Sequence, residues 1–261
     1  MRVKAVVAYD GTEYSGFQFQ KNAPSIQAEL ERVIEQLTAT PTRILAAGRT
    51  DAGVHALGQV IAFDPVWRHT LTDLQRGMNA LLPEAISVLQ LVEAKPDFHP
   101  RFDAQRRRYS YTIYRAAVRN PLVSRYSLHV FGALDVGAMQ EAALSLQGVQ
   151  DFAAFGSPPQ GENTVREVFA AVWREEEDWL GFEIEASAFL YRMVRIVVGT
   201  LLRLGQGALS VGEFVEILQT QDRRRVGPAV AAKGLVLETV SYAGQKSRVS
   251  RRTSTHFKEW L

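Results

Sequence analysis

The sequence contains no cysteine, which excludes disulfides, thiolate nucleophiles and cysteine-based zinc sites together. Histidine is sparse as well. His55, His69, His99, His129 and His256 are scattered, and none pairs with another at the four-residue spacing that sets two imidazoles on one helix face. A metal mechanism is therefore not expected. No apolar stretch approaches the length of a membrane span, and the opening run, residues 1–10, is too short in apolar residues for a signal peptide. A cytoplasmic protein without a membrane partner is the expectation. Net charge is nearly absent too: the formal +2 says nothing by itself about partners.

What is present is ordinary in bulk and informative in detail. A chain of 261 residues with a 46% hydrophobic fraction can bury one large core or two moderate ones. Residues 3–9 read as a strand ended by Asp10-Gly11. Ser25 reads as the N-cap of a helix with Ile26, Leu30, Val33, Ile34 and Leu37 in period. Strands follow at Ile44-Leu45-Ala46 and 59–63, a helix opens at Thr70 or Thr72 and stops before Pro83, and residues 86–93 form a further strand. This strand-helix-strand-strand-helix-strand order predicts a ferredoxin-like or RRM-like α+β unit.

The proline-containing segment 95–104 marks a domain junction, giving an N-terminal domain 1–104 and a C-terminal domain 105–261. The second half is expected to repeat a similar order. It would run from a strand at 106–114 to a helix capped near Asp135, a hairpin of 165–175 with 180–186, a helix at 189–204, a short helix capped by Ser210, a basic loop at 221–226 and a final strand entered at Leu235. The polar tail from Gly244, with Lys246, Arg248, Arg251, Arg252 and Lys258, reads as solvated.

Three features suggest chemistry. Residues 47–56, Ala-Gly-Arg-Thr-Asp-Ala-Gly-Val-His-Ala, lie between two strands with glycines bracketing the centre, so Asp51 is presented from a tight loop. On residue types alone Asp51 reads first as a turn-capping aspartate and Arg49 as a surface charge, with contact to a ligand as the alternative. From His99 to Arg125 seven arginines, including Arg101 and Arg107, face the single acid Asp103, and Tyr109, Tyr111 and Tyr114 are interleaved. Such a strip suits a polyanion carrying stackable bases, although a charged edge strand would look the same. In the 189–204 helix, Leu190, Met193, Val194, Val197, Leu201 and Leu204 share a face with Arg192 and Arg203 opposite it, while Arg195 projects on the flank with Tyr191, Val198 and Leu202. A guanidinium there either pairs with a carboxylate, for which Asp51 is the candidate, or snorkels to water.

Taken as a string, Gly-Arg-Thr-Asp-Ala-Gly-Val-His-Ala resembles the signature of the tRNA pseudouridine synthase A family. Met193-Val194-Arg195-Ile196-Val197-Val198-Gly199 is similar to the family's Met-Val-Arg-x-Ile-Val-Gly motif. Phe98-His99-Pro100-Arg101-Phe102 is similar to the family's Phe-His-Ala-Arg-Phe run, with Pro100 departing from it, and Gly234-Leu235-Val236-Leu237 resembles its Gly-Leu-x-Leu close. The resemblance implies a pseudouridine synthase fold with the active site in a cleft between two halves. It implies isomerisation of uridine in the tRNA anticodon stem-loop, positions 38, 39 and 40, by a homodimer without a cofactor. It further implies Asp51 as nucleophile, Arg195 as its ionic partner and Tyr109 as the active-site tyrosine. Arg49 would contact RNA near the flipped nucleotide and Leu235 would be an apolar wall, with Arg101 and Arg107 among the RNA contacts. Attack at C6, attack at C1′ and abstraction of a ribose proton are all compatible with such an aspartate.

Two other classes fit parts of the sequence. A non-catalytic RNA-binding protein accounts for the arginine and tyrosine strip but not for Asp51 among basic residues. A hydrolase with an aspartate nucleophile accounts for Asp51 and is separated by mass, because hydrolysis changes the substrate's mass and isomerisation does not.

Overall fold

The computed structural model describes residues 1–158 and 161–244, so the basic tail beyond Gly244 lies outside the described residues. The chain divides into two compact units: Met1–Gln105 with a late segment beginning at Val236, and Arg106–Leu235.

In the first unit, β1 (Val3–Tyr9) buries every second residue and pairs antiparallel with β3 (His55–Phe63) and β4 (Ile86–Glu93). This is the alternation a strand packed on one face requires. The short β2 (Leu45–Ala46) joins the other edge of β3, setting Leu45 against Ala62. The order β4-β1-β3-β2, with helices α1 (Ile26–Thr38) and α2 (Leu71–Leu81) as connections, is the split βαβ arrangement expected from the element order. Ser25 caps α1 by accepting from the Ala28 amide at 3.3 Å. Thr70 opens α2 in a reciprocal capping box with Asp73. Asn79 fastens α2 to β4 through both bonds to the Val88 backbone, at 2.9 and 2.7 Å. The late strand β10 (Leu235–Tyr242) runs parallel to the beginning of β3, pairing Val236 with His55 and Leu237 with Ala56. It thus shares with β2 the edge of β3 that β1 leaves open.

In the second unit, β5 (Ala104–Tyr114) pairs antiparallel with β9 (Trp179–Ala186), β9 with β8 (Val165–Glu176), and β8 with β7 (Gly148–Asp151). β6 (Leu128–His129) runs parallel beside the end of β5. The β8–β9 hairpin turns through Glu177 and Asp178, with Glu177 at φ 51. Helices α3 (Val136–Leu144), α4 (Met193–Gly205) and α5 (Val211–Thr220) complete this unit, α3 packing on β8 and on both other helices. Asp135 caps α3 through the Ala138 amide, and Ser210 with Glu213 forms a capping box on α5.

The largest departure from the sequence reading is α4. It begins at Met193 and not at Phe189, because Arg192 takes a left-handed backbone (φ 61) that no continuing helix tolerates. Tyr191 and Arg192 are exposed residues ahead of the helix. Nor is α4 one-sided: Ile196, Val198 and Leu202 are buried along with Val194, Val197 and Leu201, as in a helix enclosed by neighbours all round. Arg203 is half-buried and donates to the Arg225 carbonyl at 3.0 Å, so it is not a solvated charge.

Candidate active site

The Asp51 loop is built between β2 and β3, and the residues that hold it come largely from the loop after β1. The Tyr9 hydroxyl meets the Thr50 hydroxyl at 2.8 Å in a buried setting, and burial pushes the Tyr9 phenol up to about 12. Gln59, fully buried on β3, donates to the Gly48 carbonyl at 3.0 Å. The Phe17 amide donates to the Thr50 carbonyl and the Gly53 amide to the Tyr14 carbonyl. His55 Nδ1 stands 3.1 Å from both the Gly11 amide and the Asp10 carboxylate. One ring nitrogen cannot serve both, so it accepts from Gly11 when unprotonated and donates to Asp10 when it carries the proton. Gly11 itself lies so close to the loop that a Cβ there would fall 2.1 Å from the Val54 carbonyl oxygen.

Asp51 is therefore half-buried at the centre of a loop whose flanks are fixed by buried hydrogen bonds, and its own carbonyl accepts from the Val54 amide at 3.2 Å. Arg49 is exposed on the same loop. The 10–17 segment carries no charge pattern that would have marked it as a brace for Asp51, but Gly11 and Gly16 flag it as a turn. Arg101, in the turn before β5, is half-buried. Its amide donates to His99 Nδ1 at 3.2 Å, and its guanidinium lies 5.6 Å from the Phe102 ring centre.

The remaining candidates belong to the second unit. Tyr109 sits mid-strand on β5, half-buried, with its ring edge-on to Phe189 at 5.0 Å and 87°. Alternation along β5 places Arg107 on the same side as Tyr109, where it donates to the Ser187 carbonyl at 2.6 Å. Arg106 and Arg108 fall on the other side and both bind Glu185 of β9, at 2.9 Å each. The local arginine excess read from the sequence is thus partly neutralised by acids of neighbouring strands, with Arg115 likewise paired to Glu175 of β8. Tyr111 also departs from the strip read from the sequence. It is fully buried and its hydroxyl donates to the Ala231 carbonyl at 2.8 Å; burial pushes this phenol up, partly opposed by the charge of Arg195.

Arg195 projects from the first turn of α4, half-buried, and its Nε donates to the Val230 carbonyl at 2.8 Å. The 226–231 segment that accepts this bond is pressed against α4. A Cβ on Gly199 would lie 1.9 Å from the Pro228 carbonyl oxygen, and the Gly227 amide donates to the Thr200 hydroxyl at 2.9 Å. Glycine at the end of Met-Val-Arg-Ile-Val-Val-Gly is thereby explained by close backbone approach. Leu235, at the head of β10, is buried at 6% exposure. Among the described residues no group of three histidine or acidic side chains is placed to hold a metal ion, and no helix is long and apolar enough to cross a membrane.

A family pattern described as tRNA pseudouridine synthase matches residues 5–103 and 142–243. The chain belongs to the tRNA pseudouridine synthase family. Its α+β architecture and mostly antiparallel pairing are those of a pseudouridine synthase, and the family's activity is isomerisation of uridine in tRNA to pseudouridine. Similar proteins named tRNA pseudouridine synthase A come from Chloroflexus aurantiacus, 43% identical over 248 residues covering 92% of this chain and 88% of that protein, and from Syntrophomonas wolfei, 43% identical with 92% and 97% covered. One from Geobacter sulfurreducens is 42% identical, with 92% and 99% covered. The matched segments of this synthase include the Asp51 loop, Arg101, Arg195 and Leu235, while β5 with Arg107 and Tyr109 falls between them.

Proposed function

We propose that this tRNA pseudouridine synthase modifies uridines on the 3′ side of the anticodon stem-loop, positions 38, 39 and 40, with Asp51 as the nucleophile. The uracil must leave the stack, detach from ribose through N1 and return through C5, which calls for a confined carboxylate that can add and later depart. The observation that carries the reading is the family match, joined to a half-buried Asp51 whose loop is fastened by the Tyr9, Gln59 and His55 side chains. Arg195, oriented by Val230, is assigned as the ionic partner of Asp51. Tyr109 is assigned to stack on the extruded base and, through its hydroxyl, to help remove the C5 proton.

Arg49, Arg101 and Arg107 are assigned to the RNA backbone and Leu235 to an apolar wall beside the base. The reaction conserves mass and oxidation state, so its chemistry calls for no cofactor. A homodimer acting in the cytoplasm, with the site in a cleft between the two halves of the chain, completes the proposal. Incubation with unmodified tRNA followed by pseudouridine mapping tests it directly. Asp51→Asn is expected to abolish product while tRNA affinity stays within a few-fold. Residual product from that variant, or a change in substrate mass with the unaltered protein, would sink the assignment.

A further inference from the structure

A patch at the entrance to α4 is not used by the chemistry above. Phe189, edge-on to Tyr109, is followed by the buried Leu190 and then by Tyr191, which is 53% exposed. Only Leu190 lies between Phe189, the partner of Tyr109, and Tyr191, so the two Cα atoms are at most about 7 Å apart. The left-handed Arg192 then turns its guanidinium over the Tyr191 ring, 5.0 Å from its centre. The Tyr191 amide donates to the Ser157 carbonyl at 2.9 Å, and Arg223, from the basic loop after α5, donates to the Ser157 hydroxyl at 3.0 Å.

The charges in this loop are not equivalent. Arg224 is paired with Asp222 and Arg225 with Glu216 and Glu213, whereas among the described residues neither Arg223 nor Arg192 has a carboxylate partner. An exposed aromatic ring under one guanidinium, tied through Ser157 to a second uncompensated guanidinium, offers a flat stacking surface beside positive charge. Single-stranded nucleotides select that combination, the ring or the guanidinium plane taking a base and the charges a phosphate.

We propose that Tyr191, Arg192 and Arg223 hold the tRNA nucleotide next to the target uridine: its base stacks on the Tyr191–Arg192 pair and its phosphate lies against Arg192 and Arg223. This rests on the reading of the protein as a synthase acting on tRNA, and the test separates the two. Affinity for unmodified tRNA is measured across a salt series for the full chain and its variants, beside pseudouridine formation by the unaltered protein. Tyr191→Ala is expected to weaken binding about tenfold and Tyr191→Trp to retain it. Arg223→Gln and Arg192→Gln are each expected to lower the slope of log affinity against log salt by about one. Arg224→Gln, whose charge Asp222 already meets, leaves affinity and slope unchanged.

All four positions are exposed, so melting temperatures should match the parent. The two glutamine variants read the patch independently if Tyr191→Ala melts early. Wild-type affinity in Tyr191→Ala together with unchanged slopes, or equal losses in Arg224→Gln and Arg223→Gln, overturns the platform. An unaltered protein that makes no pseudouridine in tRNA would instead overturn the functional reading.

Discussion

Arg195 and Val230 are bonded twice: the arginine Nε donates to the Val230 carbonyl at 2.8 Å, and the Val230 amide donates to the Arg195 carbonyl at 3.2 Å. The double contact fixes the stem of the guanidinium and so the plane of its fork. A lysine at this position would keep the charge and lose both the Nε donor and the planar geometry. Arg195→Lys should therefore restore only part of the activity lost in Arg195→Ala, for which a fall of about 100-fold in kcat/KM is expected. Steady-state kinetics on unmodified tRNA check this. Full activity in the lysine variant would show that charge alone suffices.

Gly199 faces the Pro228 carbonyl oxygen at a distance where an added Cβ would stand 1.9 Å away. Neither partner is a flexible side-chain end, so Gly199→Ala must move α4 and the 226–231 segment apart. A stability loss of about 2 to 3 kcal/mol is expected from overpacking of this kind. Because Val230 moves with the segment, activity should fall further than stability at temperatures where the protein remains folded. Denaturant unfolding beside kinetics checks both, and an alanine variant as stable as the parent would contradict the close approach.

Much of this arrangement is legible in the sequence where local chemistry decides it. Ser25, Asp135 and Ser210 stand as caps because a short polar side chain ahead of an apolar period can do little else as well. β1, β4 and the β8–β9 hairpin follow from apolar runs ended by turn residues. The start of α4 is not legible, since the period through Leu190, Met193, Val194 and Val197 passes over Arg192 without registering its left-handed backbone. The pairing of Arg106 and Arg108 with Glu185 is hidden for a different reason: 77 or more positions separate them, and the register that sets Arg108 against Glu185 is made by the sheet. For the same reason nothing in residues 235–242 names β3 as their neighbour. In the candidate site Asp51 and Arg195 are found by motif, whereas the bracing by Tyr9, Gln59 and His55 is long-range and invisible along the chain.

Glu185 answers to two opposed influences. Burial favours its protonated form, but hydrogen bonds and charge from Arg106 and Arg108 outweigh burial together and hold the carboxyl below its usual range. The lowered folded value means that its contribution to stability is complete above the unfolded pKa and is lost as pH falls through the folded one. Glu185→Gln should cost about 1 to 2 kcal/mol at neutral pH, the loss of charge-assisted bonds to two arginines. The difference from the parent should then close as the pH is lowered below about 4. Urea midpoints measured from neutral to acid pH check the convergence. A constant gap across that range would assign the loss to packing.

Tyr9 supplies the alkaline counterpart, because its phenol is buried against Thr50 and Gln59 and burial raises it to about 12 in the folded chain. An unfolded tyrosine ionises near 10. A raised pKa on an acid means that the folded state holds the proton more tightly, so this contribution is intact below about pH 10 and drains away as pH climbs from there towards 12. Tyr9→Phe removes the ionisation along with the hydrogen bond to Thr50. At neutral pH it should lose about 1 kcal/mol for that bond, and above pH 10 its stability should fall less steeply than the parent's. The buried Tyr111, also pushed upward, keeps some alkaline dependence in the variant. Because the Thr50 hydroxyl sits next to Asp51 in the chain, kcat should fall at neutral pH while tRNA affinity holds. A Tyr9→Phe variant whose alkaline unfolding tracks the parent's at every pH would mean that the Tyr9 phenol is not the group whose ionisation the fold resists.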